Sequence, residues 1–321
     1  MLTDRFGRKV TYLRVSVTER CNFRCRYCME EKPFSWVPKE NLLSFEELFS
    51  FIKIAIDEGI GKIRLTGGEP TTRENLDVLI AMIHTYAPHV DIGLTTNGYL
   101  LPALAAKLKK AGLRRINISL DSLDRTTLHY IAQKDVLEQV LEGIDASIDA
   151  GLSVKINSVI LRGINDHEVV DLFDFAHAKG AQIRYIEYME NTHANSKIQG
   201  LRSDEIIEIL GKKYPFIPIG KESTGPSNLY EMPDGYRFGT IEPHRHDFCA
   251  TCDRLRLTAE GDLIGCLFFE GSKSIKEAIR DENSAQARAI LNDVVYNKPE
   301  KNLWGEAESE ISSRAFYRTG G

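Results

Sequence analysis

The sequence is short of several things. It holds no run of about 18 apolar residues, so no stretch is long enough to cross a membrane as a helix. Its first ten residues, MLTDRFGRKV, lack the apolar core of a secretory signal, and the chain is expected in the cytoplasm. There is no cationic excess: 41 Lys and Arg stand against 46 Asp and Glu, a net charge of −5, which gives no reason to expect nucleic acid or an anionic membrane as partner. No internal repeat or low-complexity segment occurs. Cysteine is scarce as well, with six in 321 residues, and none stands apart from two tight trios: Cys21, Cys25, Cys28 and Cys249, Cys252, Cys266. In a reducing compartment such trios read as metal ligation rather than as a disulfide framework.

What is present first is an alternation of strands and helices. Apolar alternating runs fall at residues 12–18, 62–66, 91–96, 115–121, 153–161 and 182–189, with helix-period segments between them. The segment SFEELFSFIKIAIDEG has Ser44 as N-cap, Glu47 as its capping-box partner and Gly59 as its stop; the segments ending at Gly112 and Gly151 finish in the same way. Outward strand positions such as Ile63, Leu65, Ile92, Leu94, Ile116, Ile118 and Leu120 are aliphatic. The opposite parity is polar: Arg14, Ser16, Lys62, Arg64, Thr66, Thr95, Asn97, Asn117, Ser119, Asp121, Lys155 and Asn157. A closed eight-stranded barrel fills its centre with branched apolar side chains, so this lining predicts an α/β fold of another kind, an incomplete (β/α)6 TIM-like barrel, open and lined for a polar ligand. Residues 1–190 form that unit. Residues 191–321 read as a C-terminal α+β layer over the barrel's open side, with hairpin-like strands around YRFGTI and RLRLTAEGDLIGCLF.

The first trio has the spacing C-x3-C-x2-C and follows the first strand directly, at the end of the barrel where such enzymes keep their active sites. Three thiolates on one short loop can hold three corners of a cubane iron-sulfur cluster and leave one iron open for a substrate. A Cys3His zinc site fits the spacing too, but the nearest histidine in sequence is His84. After the second strand comes GGEP, residues 67–70, which on its own is a tight turn. The second trio, C-x2-C-x13-C, again leaves one position open, and here His244 or His246 could complete a zinc site, so cluster and zinc both stand on spacing alone.

The cysteine loop after strand one, with Tyr27 before its last cysteine, GGEP after strand two and the (β/α)6 pattern together resemble the radical S-adenosylmethionine superfamily. That resemblance implies a [4Fe-4S] cluster on Cys21, Cys25 and Cys28 whose open iron binds S-adenosyl-L-methionine, cleaved to a 5′-deoxyadenosyl radical. It also implies that Tyr27, Gly68, Glu69, Ser119 and Met189 line the S-adenosylmethionine site. The two trios, the phrases RVSVTERCNFRCRYCM, RLTGGEPTTR, GLTTNG and RINISLD, and the terminal Gly-Gly are similar, over almost the whole chain, to the GTP 3′,8-cyclase family of molybdenum cofactor biosynthesis. In that family a second [4Fe-4S] cluster, here on Cys249, Cys252 and Cys266, binds the guanine of GTP, and the ribose C3′ radical closes onto guanine C8.

A ligand carrying about four negative charges suits the cations of the inner parity, since guanidinium forks hold phosphate oxygens bidentately. On RLRL, Arg254 and Arg256 share one face. The resemblance points to Arg14, Arg64, Thr95, Lys155, Arg254 and Arg256 as GTP contacts, with Leu255 acting through its main chain; Lys62 and Arg184 are weaker candidates. Gly320 and Gly321, accompanied by Arg318, are implied to reach the active site. A homodimer, a reductant protein and a downstream cyclic pyranopterin monophosphate synthase are implied as well. Two rivals remain open at this stage. A twin-cluster radical maturase acting on a peptide carries a longer C-terminal cysteine set than this chain has. A non-enzymatic metal-binding or redox protein leaves the polar lining and GGEP unexplained.

Overall fold

The computed structural model describes residues 1–29, 36–194, 197–221, 225–245, 247–304 and 311–320. Strands β1 (Tyr12–Ser16), β2 (Lys62–Thr66), β3 (Asp91–Thr96), β4 (Arg115–Ser119), β5 (Ser153–Val159) and β6 (Gln182–Ile186) lie side by side in chain order, each parallel to the next. Helices cross over between them: α1 (Phe45–Asp57), α2 (Leu76–Tyr86), α3 (Leu101–Lys110), α4 (Arg125–Ala132), α5 (Leu137–Asp149) and α6 (Val169–Ala178). This is the incomplete (β/α)6 barrel that the alternation predicts.

The local signals act as written. Ser44 Oγ accepts the Glu47 amide at 3.1 Å, and Glu47 Oε2 accepts the Ser44 amide at 2.7 Å, so two donors left open at the start of α1 are satisfied reciprocally. Ile63, Leu65, Ile92, Leu94, Ile116, Ile118 and Leu120 are each no more than 1% exposed, packed between sheet and helices. Removing one of them, as in Leu94→Ala, costs about 2–5 kcal/mol through lost burial and an unfilled cavity. Strands β1, β4, β5 and β6 stop two or three residues earlier than their apolar runs, which frees residues 17–18, 120–121, 160–161 and 187–189 for the loops at the barrel's C-terminal end.

The C-terminal layer continues the same sheet at both edges. Of β7 (Ile217–Lys221), β8 (Ser227–Glu231), β9 (Arg237–Ile241), β10 (Arg254–Leu257), β11 (Asp262–Ile264) and β12 (Lys273–Ser274), β9 docks parallel on β6 and β10 docks parallel on β1. The others extend antiparallel from these two, and the order is β12-β11-β10-β1-β2-β3-β4-β5-β6-β9-β8-β7. Placing β10 beside β1 sets Arg256 opposite Arg14, which in turn lies opposite Arg64. Beyond the helix Ser284–Tyr296, the described residues end in a helical turn, Phe316–Thr319, against β1.

Candidate active site

Two cavities occupy the barrel. The first, about 230 Å³, is lined by Cys21, Cys25, Cys28, Tyr27, Gly68, Glu69, Ser119, Asp121, Met189, Phe316, Tyr317 and Gly320. All five residues proposed for S-adenosylmethionine face it. The second, about 400 Å³, lies deeper and is lined by Cys249, Cys252, Cys266 and by eight cationic side chains: Arg14, Lys62, Arg64, Arg115, Lys155, Arg184, Arg254 and Arg256. Thr95, Asn157, Ile186 and Met189 line both cavities, which therefore share a wall. An aromatic cluster of Phe268, Trp304 and Phe316 packs against Cys28 on one side and Cys266 on the other.

The first trio hangs on the turn after β2. The Gly68 amide donates to Thr18 O and the Glu69 amide to Arg20 O, both at 2.8 Å, so GGEP is zipped to the chain entering Cys21. A Cβ on Gly68 would stand 2.3 Å from Glu19 O, and only glycine permits that approach. Glu69 is 1% exposed, and its carboxylate accepts Thr71 N (3.0 Å), Thr71 Oγ1, Thr96 Oγ1 (2.7 Å) and Asn97 N (2.6 Å). Most of its acceptor capacity is thus spent on ordering the ends of β2 and β3, and Thr71 and Thr72 serve that order. Tyr27 donates its hydroxyl to Asp121 Oδ2 at 2.7 Å. Burial pushes the Asp121 carboxyl up to about 6.

Thiol chemistry differs between the trios. Burial pushes Cys21 and Cys28 up to about 12 and Cys25 well above its ordinary value, with Glu69 adding to the shift of Cys21 and its two sister thiols to that of Cys25. Burial also raises Cys252, but Arg254 and Lys298 outweigh it and bring the group down to about 6. Three thiols that line one cavity suit a polynuclear cluster, whose ligands are spread over several irons. His244 is committed elsewhere: Nδ1 meets Glu187 at 2.9 Å and Nε2 meets Glu190 at 3.1 Å. His246 lies outside the described residues.

In the second cavity the cations are forced together. Arg64 Nε donates to Tyr12 Oη at 3.3 Å and Nη1 to Leu94 O at 3.0 Å, a route open because position 93 is glycine; a Cβ there would stand 2.5 Å from Nη1. Arg184 grips Asn157 Oδ1 through Nε and Nη2 at 3.0 and 2.7 Å. Burial lowers Arg256 and Arg184 to about 9, and neighbouring guanidinia (Arg14 and Arg254 for the former, Arg64 and Arg14 for the latter) add to it. Burial raises the Tyr12 phenol, yet Arg64, Arg14 and Lys62 overcome this and hold it at about 7. Thr95 Oγ1, Arg254 Nε and Arg256 Nε are buried with no hydrogen-bond partner. Orphaned donors and crowded cations both favour a multiply charged anion with polar edges.

Lys155, Lys62 and Arg184 face this cavity. Leu255 is fully buried and does not line it, so a contact from Leu255 comes only through its main chain. Gly320 enters the barrel, where its carbonyl accepts Arg14 Nη2 at 2.5 Å and Nε at 3.1 Å; Arg318 pairs with Glu19 at 3.2 Å. Gly321 lies outside the described residues. Tyr12, Arg115 and Asp121 are not among the site residues read from the sequence, although Tyr12 shares the parity of Arg14, and Arg115 and Asp121 that of Ser119. Trp304 and Phe316 come from the tail, where no periodicity announces them.

The sequence profile described as "Radical SAM superfamily" matches residues 15–176, and "Molybdenum Cofactor Synthesis C" matches residues 181–304. A GTP 3′,8-cyclase of Campylobacter fetus subsp. fetus is 57% identical over 322 residues, covering 100% of both chains. The chain belongs to the GTP 3′,8-cyclase family. A second GTP 3′,8-cyclase, from Aliarcobacter butzleri, is 57% identical over 323 residues, and one from Campylobacter jejuni is 56% identical over 321, each with full coverage of both chains. The radical S-adenosylmethionine membership of this GTP 3′,8-cyclase relative brings with it an iron-sulfur cluster and S-adenosylmethionine.

Solved structures extend the fold beyond the family. Streptococcus suis SuiB superposes with a TM-score of 0.65 at 16% identity, covering 91% of this chain and 66% of SuiB, so this chain spans just under two thirds of that protein. SuiB bound to its precursor peptide gives a TM-score of 0.64 at 13% identity, with 97% and 76% covered. A peptide-bound protein thus shares the barrel, and the family is distinguished by sequence rather than by fold. No helix among the described residues is long and apolar enough to cross a membrane.

Proposed function

We propose that this enzyme is a GTP 3′,8-cyclase carrying two [4Fe-4S] clusters, one on Cys21, Cys25 and Cys28 and the other on Cys249, Cys252 and Cys266. The observation that carries the reading is the shared wall: a trio opens on each of two cavities that meet at Thr95, Asn157, Ile186 and Met189, and only the second is lined with cations. S-adenosylmethionine, held by Tyr27, Gly68, Glu69, Ser119 and Met189, takes the first cavity. GTP takes the second, gripped by Arg14, Arg64, Thr95, Lys155, Arg254 and Arg256, by the main chain at Leu255, and by Lys62 and Arg184 at its edge.

When bound, the first cluster and S-adenosylmethionine supply one-electron chemistry that removes hydrogen from ribose C3′, after which C3′ closes onto guanine C8. The protein's own work is positional. Crowded guanidinia fix the triphosphate, and the common wall sets the ribose against the first cavity. Phe268, Trp304 and Phe316 keep water from the space between the trios, while Gly320 enters at Arg14. The same reading divides the chain at residue 190, places it in the cytoplasm as a homodimer, and supplies it with electrons from a reductant protein. Its product passes to a cyclic pyranopterin monophosphate synthase.

The test is reconstitution under anaerobic conditions. Roughly eight iron and eight sulfide per chain are expected, falling to about four in Cys25→Ser and in Cys252→Ser. Cys25→Ser loses cleavage of S-adenosylmethionine, and Cys252→Ser loses GTP binding. Normal cleavage in Cys25→Ser would sink the first assignment.

A further inference from the structure

Lys298 and Asn302 belong to the stretch NKPEKNLW that follows the helix Ser284–Tyr296, a segment in which the sequence shows no motif. Lys298 is 2% exposed. Its ammonium donates to Arg254 O and to Gly265 O, both at 2.6 Å. Arg254 lies two residues past Cys252, and Gly265 immediately precedes Cys266, so one side chain ties together the two segments that carry these ligands. Among the described residues no carboxylate pairs with this ammonium. Burying an ammonium with no carboxylate partner is unfavourable, and here the opposing charge acting on it comes from Cys252 and Cys266.

Asn302 meets the third ligand. Its main-chain amide and its Nδ2 both point at Cys249 Sγ, each at 3.4 Å. Nδ2 also donates to Pro243 O at 3.0 Å, while Oδ1 accepts the Trp304 amide at 3.1 Å; the amide is locked in one orientation. The two trios therefore differ in the balance of charge and donors around them. Buried carboxylates, Glu69 and Asp121, act on the first. A buried ammonium, a guanidinium and two N–H donors surround the second.

We propose that Lys298 and Asn302 are positioning residues that hold the second cluster in shape and raise its reduction potential relative to the first. Added negative charge on a thiolate-ligated cluster is stabilised by N–H···S bonds and by a fixed nearby cation. The second trio has two such donors and a buried ammonium, whereas the first has one donor, the Phe23 amide to Cys21 Sγ at 3.4 Å, and the half-buried Arg24, set against buried carboxylates. The inference rests on the two-cluster reading above.

The test is an anaerobic, EPR-monitored potentiometric titration of the reconstituted holoenzyme, with iron and sulfide analysis of the same samples. Lys298→Met removes the charge at similar length, and Asn302→Ala removes one of the two donors to Cys249. With iron kept at the wild-type level, each variant is expected to move one midpoint to lower potential and leave the other, an internal control, where it was. Should Lys298→Met fail to hold its iron, Asn302→Ala decides, since the main-chain donor survives there. Two unmoved midpoints in an iron-replete Asn302→Ala would overturn the inference and reduce the pair to scaffold. Four iron per chain in the wild type would instead overturn the two-cluster reading, and this inference with it.

Discussion

Arg14 on the first strand holds the carbonyl of Gly320, 306 residues away, with both Nε and Nη2. A cation of the triphosphate cavity is therefore also the anchor of the tail, and the two ends of the chain meet inside the barrel.

Gly320→Ala tests that anchor. The residue sits at φ +68°, and a Cβ would stand 2.1 Å from Thr66 Cγ2. The left-handed backbone alone costs an alanine about 1–2 kcal/mol, so the seated tail should be at least roughly fivefold less populated. Turnover should fall at unchanged iron content, and limited proteolysis should cut the tail faster. Wild-type proteolysis kinetics would show that Gly320 does not need its seat.

Gly93→Ala should separate stability from binding. The added methyl meets the far end of a flexible side chain, Arg64 Nη1 at 2.5 Å and Cζ at 2.6 Å, rather than backbone. Arg64 can swing away, so the melting temperature should barely change while GTP affinity drops several-fold. Calorimetric titration with GTP beside a melting curve reads both; a large melting shift with intact affinity would contradict the role given to Arg64.

Arg256→Ala should weaken GTP binding by roughly tenfold to a hundredfold, the range for losing one or two charge-assisted bonds. Both clusters should keep their iron. Because burial, Arg14 and Arg254 together depress this guanidinium to about 9, removing it also relieves repulsion, and the ligand-free protein should melt no lower than wild type. Unchanged GTP affinity would remove Arg256 from the site.

A pH dependence follows from His244. Burial disfavours its charge, but Glu187 and Glu190 outweigh that and raise it above its ordinary 6.5. The same pairing holds both glutamates below their ordinary 4.5, against the burial that raises them. A raised histidine contributes stability that is complete below 6.5 and disappears as pH climbs through the folded value; lowered carboxylates contribute above 4.5 and lose it as pH falls. Between those limits the three groups help most. From pH 6 to pH 8.5 the wild-type melting temperature should fall more than that of His244→Asn, by on the order of 2 °C. Parallel curves would show that the histidine is not coupled to the two acids.

Much of this was legible in the residues, for physical reasons. Strand parity alone separates Ile63 and Leu65 from Lys62 and Arg64, and a polar inner face admits few barrels. Ser44, Glu47 and Gly59 bound their helix because capping is local. The docking of β9 and β10 is different. RFGTI is separated from β6 by the helix Ser203–Gly211 and two further strands, and RLRL from β1 by most of the chain, so nothing nearby in sequence says that they pair in parallel with β6 and β1. That pairing is tertiary, and it is what sets Arg256 beside Arg14. Tyr12 was within reach of the parity argument, two residues before Arg14. Asn302 and Lys298 were not, since a side chain that serves a thiol 53 or 46 positions away in an irregular segment leaves no period to read.

The account stands most directly on where the hydrogen goes. The holoenzyme is incubated anaerobically with S-adenosylmethionine, dithionite and GTP deuterated at C3′, and the 5′-deoxyadenosine formed is weighed by mass spectrometry. Deuterium in that nucleoside is the predicted result, joining the two cavities in one reaction. Unlabelled 5′-deoxyadenosine, formed at the same rate with or without GTP, would contradict it.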